Sequence, residues 1–158
     1  MARKDITMTA EGQLAFLEEG HTLIVTTLGS DGYPHVAPMW YFVKDGKVAF
    51  RSFTKSQKIV NLQRNPKLTV LLEVGDTYEE LRGLMIKGTA RLVTDPEQVL
   101  AMYGELSTRY AFVGDEPVPL EGEALEAAFG RFAAKNTGVI VEPEKIISWD
   151  HPKLAGAY

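Results

Sequence analysis

FRSFTKSQKIVNLQRNP, Phe50–Pro66, reads as a β-strand that turns into a short helix and stops at Asn65-Pro66. Between Lys47 and Lys67 lie six basic residues (Lys47, Arg51, Lys55, Lys58, Arg64, Lys67) and no Asp or Glu. The net charge of the chain is -4, so everything outside this island sums to -10. A concentrated positive island on an acidic protein focuses its field where a compact anion could sit. Ser52, Thr54 and Ser56 add hydroxyls at the point where strand gives way to helix, and a new helix N-terminus offers amide donors to phosphate. The competing reading is a solvated basic loop.

The flanking segments set the context. Asp45-Gly46 is a two-residue hairpin signal between the expected strand Tyr33 to Val43 and the strand leading into the island. If Lys44 faces Lys47, then Phe42 faces Ala49, Trp40 faces Arg51, Met39 faces Ser52 and Pro38 faces Phe53. Pro34 and Pro38 cannot donate to a ladder, so this strand is expected to be irregular or edge-like. Upstream, Thr9 to Gly20 reads as an amphipathic helix and His21 to Leu28 as a strand. Downstream, Lys67 to Val74 and Leu84 to Val93 read as strands, with Gly88 marking a bulge or close packing point. Asp95-Pro96-Glu97 starts a helix expected to reach about Tyr110. A Gly/Pro-bearing loop, Phe112 to Glu121, separates it from a helix over Gly122 to Asn136. Two short strands, Gly138 to Val141 and Lys145 to Trp149, are expected around a Glu-Pro-Glu turn. Short hairpin connections without regular β-α alternation argue an α+β fold with a mainly antiparallel barrel or sandwich. The length, 158 residues, suits one domain.

Composition narrows the chemistry. Cysteine is absent, which removes disulfides and thiolate catalysis. His21, His35 and His151 are the only histidines and are not at ligand spacing, so no metal site is expected. There is no Gly-x-Ser-x-Gly elbow, Walker A or dinucleotide glycine fingerprint. A pI near 5.4 argues against nucleic-acid binding. No apolar run is long enough to span a bilayer, and MARKDITMT has no signal-peptide core, so a cytoplasmic location is expected. Redox chemistry would need a bound cofactor.

The order Pro-His-Val-Ala-Pro-Met-Trp (34–40), Phe50–Leu62, Arg-Asn-Pro (64–66) and Leu81–Leu92 resembles the pyridoxamine 5'-phosphate oxidase-like family of split β-barrel flavin and deazaflavin proteins. The resemblance runs from about residue 9 to the ending Ser-Trp-Asp-His-Pro-Lys-Leu (148–154), and implies one cofactor-binding domain over residues 1–158 in a homodimer. It implies that His35, Val36, Ala37, Pro38, Met39 and Trp40 lie along the isoalloxazine-type ring, largely through backbone. Arg51 and Ser52 are implied near the ring or its polyol and phosphate. Ser56, Gln57 and Lys58 match a Ser-Arg-Lys phosphate motif in which Gln57 replaces the arginine, and Lys55 is the candidate to compensate. Gly83 and Leu84 replace a glutamine that contacts the flavin in other members. Trp149 matches a tryptophan that closes the site, commonly across a dimer interface.

An Arg-x-His that holds the vitamin substrate is replaced here by His-Pro-Lys-Leu-Ala-Gly-Ala-Tyr. The Lys-rich cradle and the C-terminal ending look more like the branch that uses the deazaflavin F420, whose polyglutamate tail would suit Lys55, Arg64 and Lys67. The expected function is an F420-dependent oxidoreductase passing a hydride to a small unsaturated substrate. The alternatives are an FMN oxidase or reductase, and a cofactor- or haem-binding module without turnover. His35 and Tyr41 are the candidate proton donors.

Overall fold

In the strand Leu23–Leu28 (β1), Leu23, Val25 and Thr27 are buried while their neighbours are less so, as a sheet with one face on a core demands. The structure, a computed structural model, describes residues 4–156; the first three residues of the N-terminal stretch and the last two of the C-terminal ending lie outside them. Before β1 stands helix α1, Ala10–Glu19, capped by the Thr9 hydroxyl on the Gly12 amide. The strands β2 (Pro34–Met39), β3 (Phe42–Lys44) and β4 (Lys47–Phe53) follow, then α2 (Gln57–Arg64), β5 (Lys67–Val74) and β6 (Arg82–Val93). The chain continues through α3 (Pro96–Ser107), α4 (Gly122–Ala133) and β7 (Asn136–Asp150).

These strands form one seven-stranded sheet in the order β2-β1-β5-β6-β7-β4-β3, with antiparallel neighbours throughout. β2 and β3 are its two outer strands, yet only Trp40 and Tyr41 separate them in the chain. The sheet must therefore curl until its edges meet. The result is an α+β split β-barrel, as the hairpin-rich sequence suggests.

The barrel interior holds Leu23, Val25, Tyr41, Val48, Phe50, Ile59, Leu62, Val70 and Leu72. A second core, Ala49, Val99, Tyr103, Leu106, Tyr110 and Leu125, packs α3 and α4 against the outside of β4. β4 thus serves both cores, with Val48, Phe50 and Ser52 on one face and Ala49 and Arg51 on the other.

Three expectations need correction. The hairpin register holds from Lys44↔Lys47 to Phe42↔Ala49, with Asp45 and Gly46 at φ 53 and 73, the left-handed pair of a tight turn. Beyond Tyr41 it fails: Met39 pairs with Leu23 and Pro38 with Ile24, so Trp40, Met39 and Pro38 do not face Arg51, Ser52 and Phe53. The reason is burial of Tyr41, which has no exposed surface and donates its hydroxyl to the Leu17 carbonyl at 2.6 Å, fixing a corner in the chain. The prolines are tolerated because β2 is an edge strand.

The two expected C-terminal strands are one, β7. Its Pro143 is absorbed by a register shift between Lys87 and Gly88, where the Glu142 carbonyl lies 2.2 Å from the place a Cβ on Gly88 would occupy. Finally, α3 stops at Ser107, not Tyr110. The Ser107 and Thr108 hydroxyls each donate to a carbonyl three residues back, at 2.7 Å, and loosen the helix end.

At the corner, the backbone of Tyr41 belongs to neither ladder. Its N–H donates to the Tyr110 hydroxyl at 3.1 Å, and that hydroxyl lies 2.8 Å from the His21 carbonyl and 3.0 Å from the Tyr41 carbonyl. Tyr110→Phe leaves the buried Tyr41 N–H and carbonyl without this partner, and is expected to cost about 1–3 kcal/mol. Urea denaturation is expected to show a lower midpoint with an unchanged slope, and melting about 2–4 °C lower for each kcal/mol lost.

Candidate cofactor site

Inside the barrel mouth, Ser52 is only 5% exposed at the end of β4. The chain then turns, fastened to β7 by Thr54 and Thr137 hydroxyls 2.9 Å apart, and Ser56 opens α2. Ser56 has the extended backbone of an N-cap, but its hydroxyl makes no cap hydrogen bond and lies 3.1 Å from the Ser52 hydroxyl. Two residues on, in the first turn, Lys58 donates to the Ser52 hydroxyl at 3.3 Å. Two hydroxyls and an ammonium thus converge at the start of a helix whose apolar side, Ile59 and Leu62, is locked into the barrel core.

The electrostatics favour an anion here. Lys58 takes part in none of the ion pairs among the described residues, and burial pushes its ammonium below the ordinary lysine pKa. A desolvated cation bonded only to a neutral hydroxyl is stabilised by any anion that reaches it. Ser52, Ser56, Lys58 and the free first-turn amides of α2 fit a phosphate, which accepts through several oxygens.

The other basic residues divide. Lys55 is exposed beside the cradle. Gln57 donates to the Asn61 side-chain carbonyl at 2.8 Å, so the residue standing in for an arginine is turned to internal use. Arg64 donates to the Leu28 carbonyl and to Asn61, tying α2 to β1. Lys47 pairs with Glu142 at 2.5 Å. Sequence reasoning missed Asn61, which has no exposed surface and donates to the Thr27 hydroxyl at 3.0 Å. A polar residue between Ile59 and Leu62 on the buried side of a helix was the available signal.

The β2 residues point two ways. Register with Leu23, Val25 and Thr27 puts Met39, Ala37 and His35 on the barrel-interior side, and leaves Val36 and Pro38 on the exposed face. His35 Nδ1 is buried without a hydrogen-bond partner. Tyr41 is committed to Leu17, and burial raises its phenol far above the usual range. Trp40 stacks on Tyr110 at 4.6 Å and meets Phe112 edge-on at 5.3 Å.

Arg51 lies on the opposite face of β4 from Ser52, over the Tyr103 ring at 4.4 Å. Beside it is a cleft of about 260 Å³ lined by Pro38, Met39, Trp40, Arg51 and Leu106. The expected nearness of Pro38–Trp40 to Arg51 is thus met across a cleft instead of a ladder. Trp149 pairs with Gly83, and a Cβ on that glycine would lie 2.0 Å from the indole ring. Thr137, beside Ser52, and Trp149 stand at opposite ends of β7, roughly 40 Å of strand apart at ~3.3 Å per residue.

Comparison with known proteins agrees with the fold. A conserved hypothetical protein from Mycobacterium tuberculosis is 34% identical, with 98% of this chain and 92% of that chain covered and a TM-score of 0.86. A solved F420 reductase is 25% identical over 84% of this chain and 94% of its own, with a TM-score of 0.63. A heme binding protein from Mycobacterium smegmatis, 12% identical over 95% of this chain and 56% of its own with a TM-score of 0.64, shares the fold. A search of curated proteins by sequence gives no match. The family described as pyridoxamine 5'-phosphate oxidase matches residues 10–136, and the chain belongs to that family.

Proposed function

We propose that this protein is an F420-dependent oxidoreductase that passes a hydride to a small unsaturated substrate. The observation that carries the reading is the Ser52–Ser56–Lys58 cradle, a half-buried cation and two hydroxyls with no acidic partner among the described residues. Similarity to a solved F420 reductase supports the deazaflavin over other cofactors of the fold. When bound, the deazaflavin supplies a two-electron hydride.

The chain's own residues then have separable tasks. Ser52, Ser56 and Lys58 hold the phosphate, and exposed Lys55 and Lys67 face the carboxylates of the tail. Arg64, expected to share that task, is engaged with α2 and β1 instead. The edge strand β2 supports the ring from His35 to Trp40, where one side of its backbone is free of a ladder. His35, with its unpartnered Nδ1, is the better proton donor of the two candidates, because the Tyr41 hydroxyl is spent on Leu17.

Trp149 and the cradle lie at opposite ends of β7, which favours a homodimer in which Trp149 closes the other subunit's site. A cytoplasmic location goes with the same reading; no described helix is long and apolar enough to cross a membrane. FMN is the second candidate, since its phosphate suits the same cradle and the matching family is named for an oxidase that acts on a pyridoxamine phosphate.

Titration of the purified protein with F420 and with FMN, followed by absorbance and fluorescence, is expected to show tighter binding of F420. Reduced F420 is then expected to be oxidised by an unsaturated acceptor; binding without oxidation by any acceptor tried speaks for a non-catalytic binder. Lys58→Ala is expected to weaken whichever cofactor binds by about 10- to 100-fold, the loss of one charge-assisted contact. Unchanged affinity contradicts the cradle.

The lowered pKa of Lys58 gives a second test. Binding an anion raises that pKa again, so affinity holds below the pKa of the free protein and falls up to tenfold per pH unit above it. The fall is expected to begin below the usual lysine range and to be missing in Lys58→Met.

A further inference from the structure

The Arg51 guanidinium lies on the α3 face of β4, away from the phosphate cradle, and it too lacks a counter-charge. Of the described ion pairs, Lys44 has Glu105, Lys47 and Arg91 share Glu142, Arg82 has Glu19 and Arg109 has Glu18; none includes Arg51. Its one hydrogen bond among the described residues is a long one, 3.4 Å to the Asn136 side-chain carbonyl, and its Nε is buried without a partner. The guanidinium carbon lies 4.4 Å from the centre of the Tyr103 ring, a cation–π contact that uses none of its N–H donors. Burial lowers its pKa from the ordinary arginine value, yet an arginine stays charged.

The cleft in front of this cation is otherwise apolar, with Trp40, Met39, Leu106 and Pro38 as its walls. Apolar walls with one convergent charged group are the usual build of a small-molecule site. The walls belong to β2, assigned above to the ring, to Trp40 in the span between β2 and β3, and to α3. Phe112, which meets Trp40 edge-on, places the loop after α3 beside the same cleft.

We propose that this cleft is the substrate subsite, and that Arg51 anchors a carboxylate on a flat, conjugated substrate through its two-pronged donor set. The inference rests on the oxidoreductase reading for the word substrate, but the binding it describes needs no cofactor. An unsaturated acid fits the setting in two ways. Its carboxylate satisfies the unpaired guanidinium bidentately, and its conjugated part lies against Trp40 and Met39. By contrast, the groove between the β3–β4 hairpin and α3 has its cations neutralised by Glu105 and Glu142.

The test is calorimetric titration of the cofactor-free full chain with benzoate and cinnamate and with their uncharged amides. The wild type is expected to bind the acids at least ~10-fold tighter than the amides. Arg51→Gln is expected to abolish that preference. Arg51→Lys, which keeps the charge without the fork, is expected to keep part of it. The acid-to-amide comparison in the wild type stands even if a variant folds poorly, and circular dichroism checks each variant.

Acid and amide binding alike, or neither binding, overturns the proposal, as does an acid preference that survives Arg51→Gln. F420 affinity reduced by Arg51→Gln, with FMN and acid binding unmoved, assigns the guanidinium to the cofactor tail and also overturns it. Lys58→Ala separates the two readings, since it is expected to weaken cofactor binding while leaving the acid preference in place. If neither F420 nor FMN binds but the Arg51-dependent preference is present, the cofactor reading falls and the subsite stands.

Discussion

Everything in this molecule is arranged around a two-residue span. Trp40 and Tyr41 join β2 to β3, and those strands are the opposite edges of a seven-stranded sheet. A flat sheet of that width would hold its outer strands nearly 30 Å apart at ~4.8 Å per strand, far beyond what two residues can reach. Closure into a barrel is therefore forced by connectivity, and strand twist supplies the curl. The corner leaves the backbone of Tyr41 outside both ladders, and the Tyr110 phenol takes its N–H and its carbonyl. The same divergence opens the cleft between Met39 and Arg51. Closure and site are two consequences of one bend.

β4 is the element that turns this geometry into chemistry. Alternation sends Ser52 into the barrel mouth, where it meets Ser56 and Lys58, and sends Arg51 toward Tyr103 on the far side. Exposed ion pairs such as Lys44–Glu105 contribute ~0–1 kcal/mol each, so the stability of the fold hardly depends on them. Five other cations are neutralised by carboxylates, while half-buried Lys58 at the barrel mouth and Arg51 on the α3 face are bonded only to neutral groups. Holding partly desolvated charge without a counter-ion is costly, and the cost is offset when an anion binds.

Much of the fold was legible because local signals were strong. Asp45-Gly46 set a hairpin register that holds through Phe42↔Ala49, and Asp95-Pro96 opened α3 where expected. The run of basic residues and hydroxyls picked out the cradle. The register failed past Tyr41 because burial of one aromatic side chain decided where the strand turned, and burial is a property of the whole barrel. Residues 138–149 read as two strands in the sequence because Pro143 looks like a break, whereas Gly88 on the neighbouring strand makes room for a bulge. At the site, the sequence could not show that Gln57 and Arg64 both turn to Asn61, nor that Arg51 and Ser52 part to opposite faces. Those facts depend on side-chain partners far apart in the chain.

The decisive measurement is a crystal structure with F420 bound. Its phosphate is expected within hydrogen-bonding distance of Ser52 Oγ, Ser56 Oγ and Lys58 Nζ, its ring along His35 to Trp40, and Trp149 of the partner subunit closing the same site. A phosphate bound elsewhere, with Lys58 still bonded only to Ser52, would overturn the cradle.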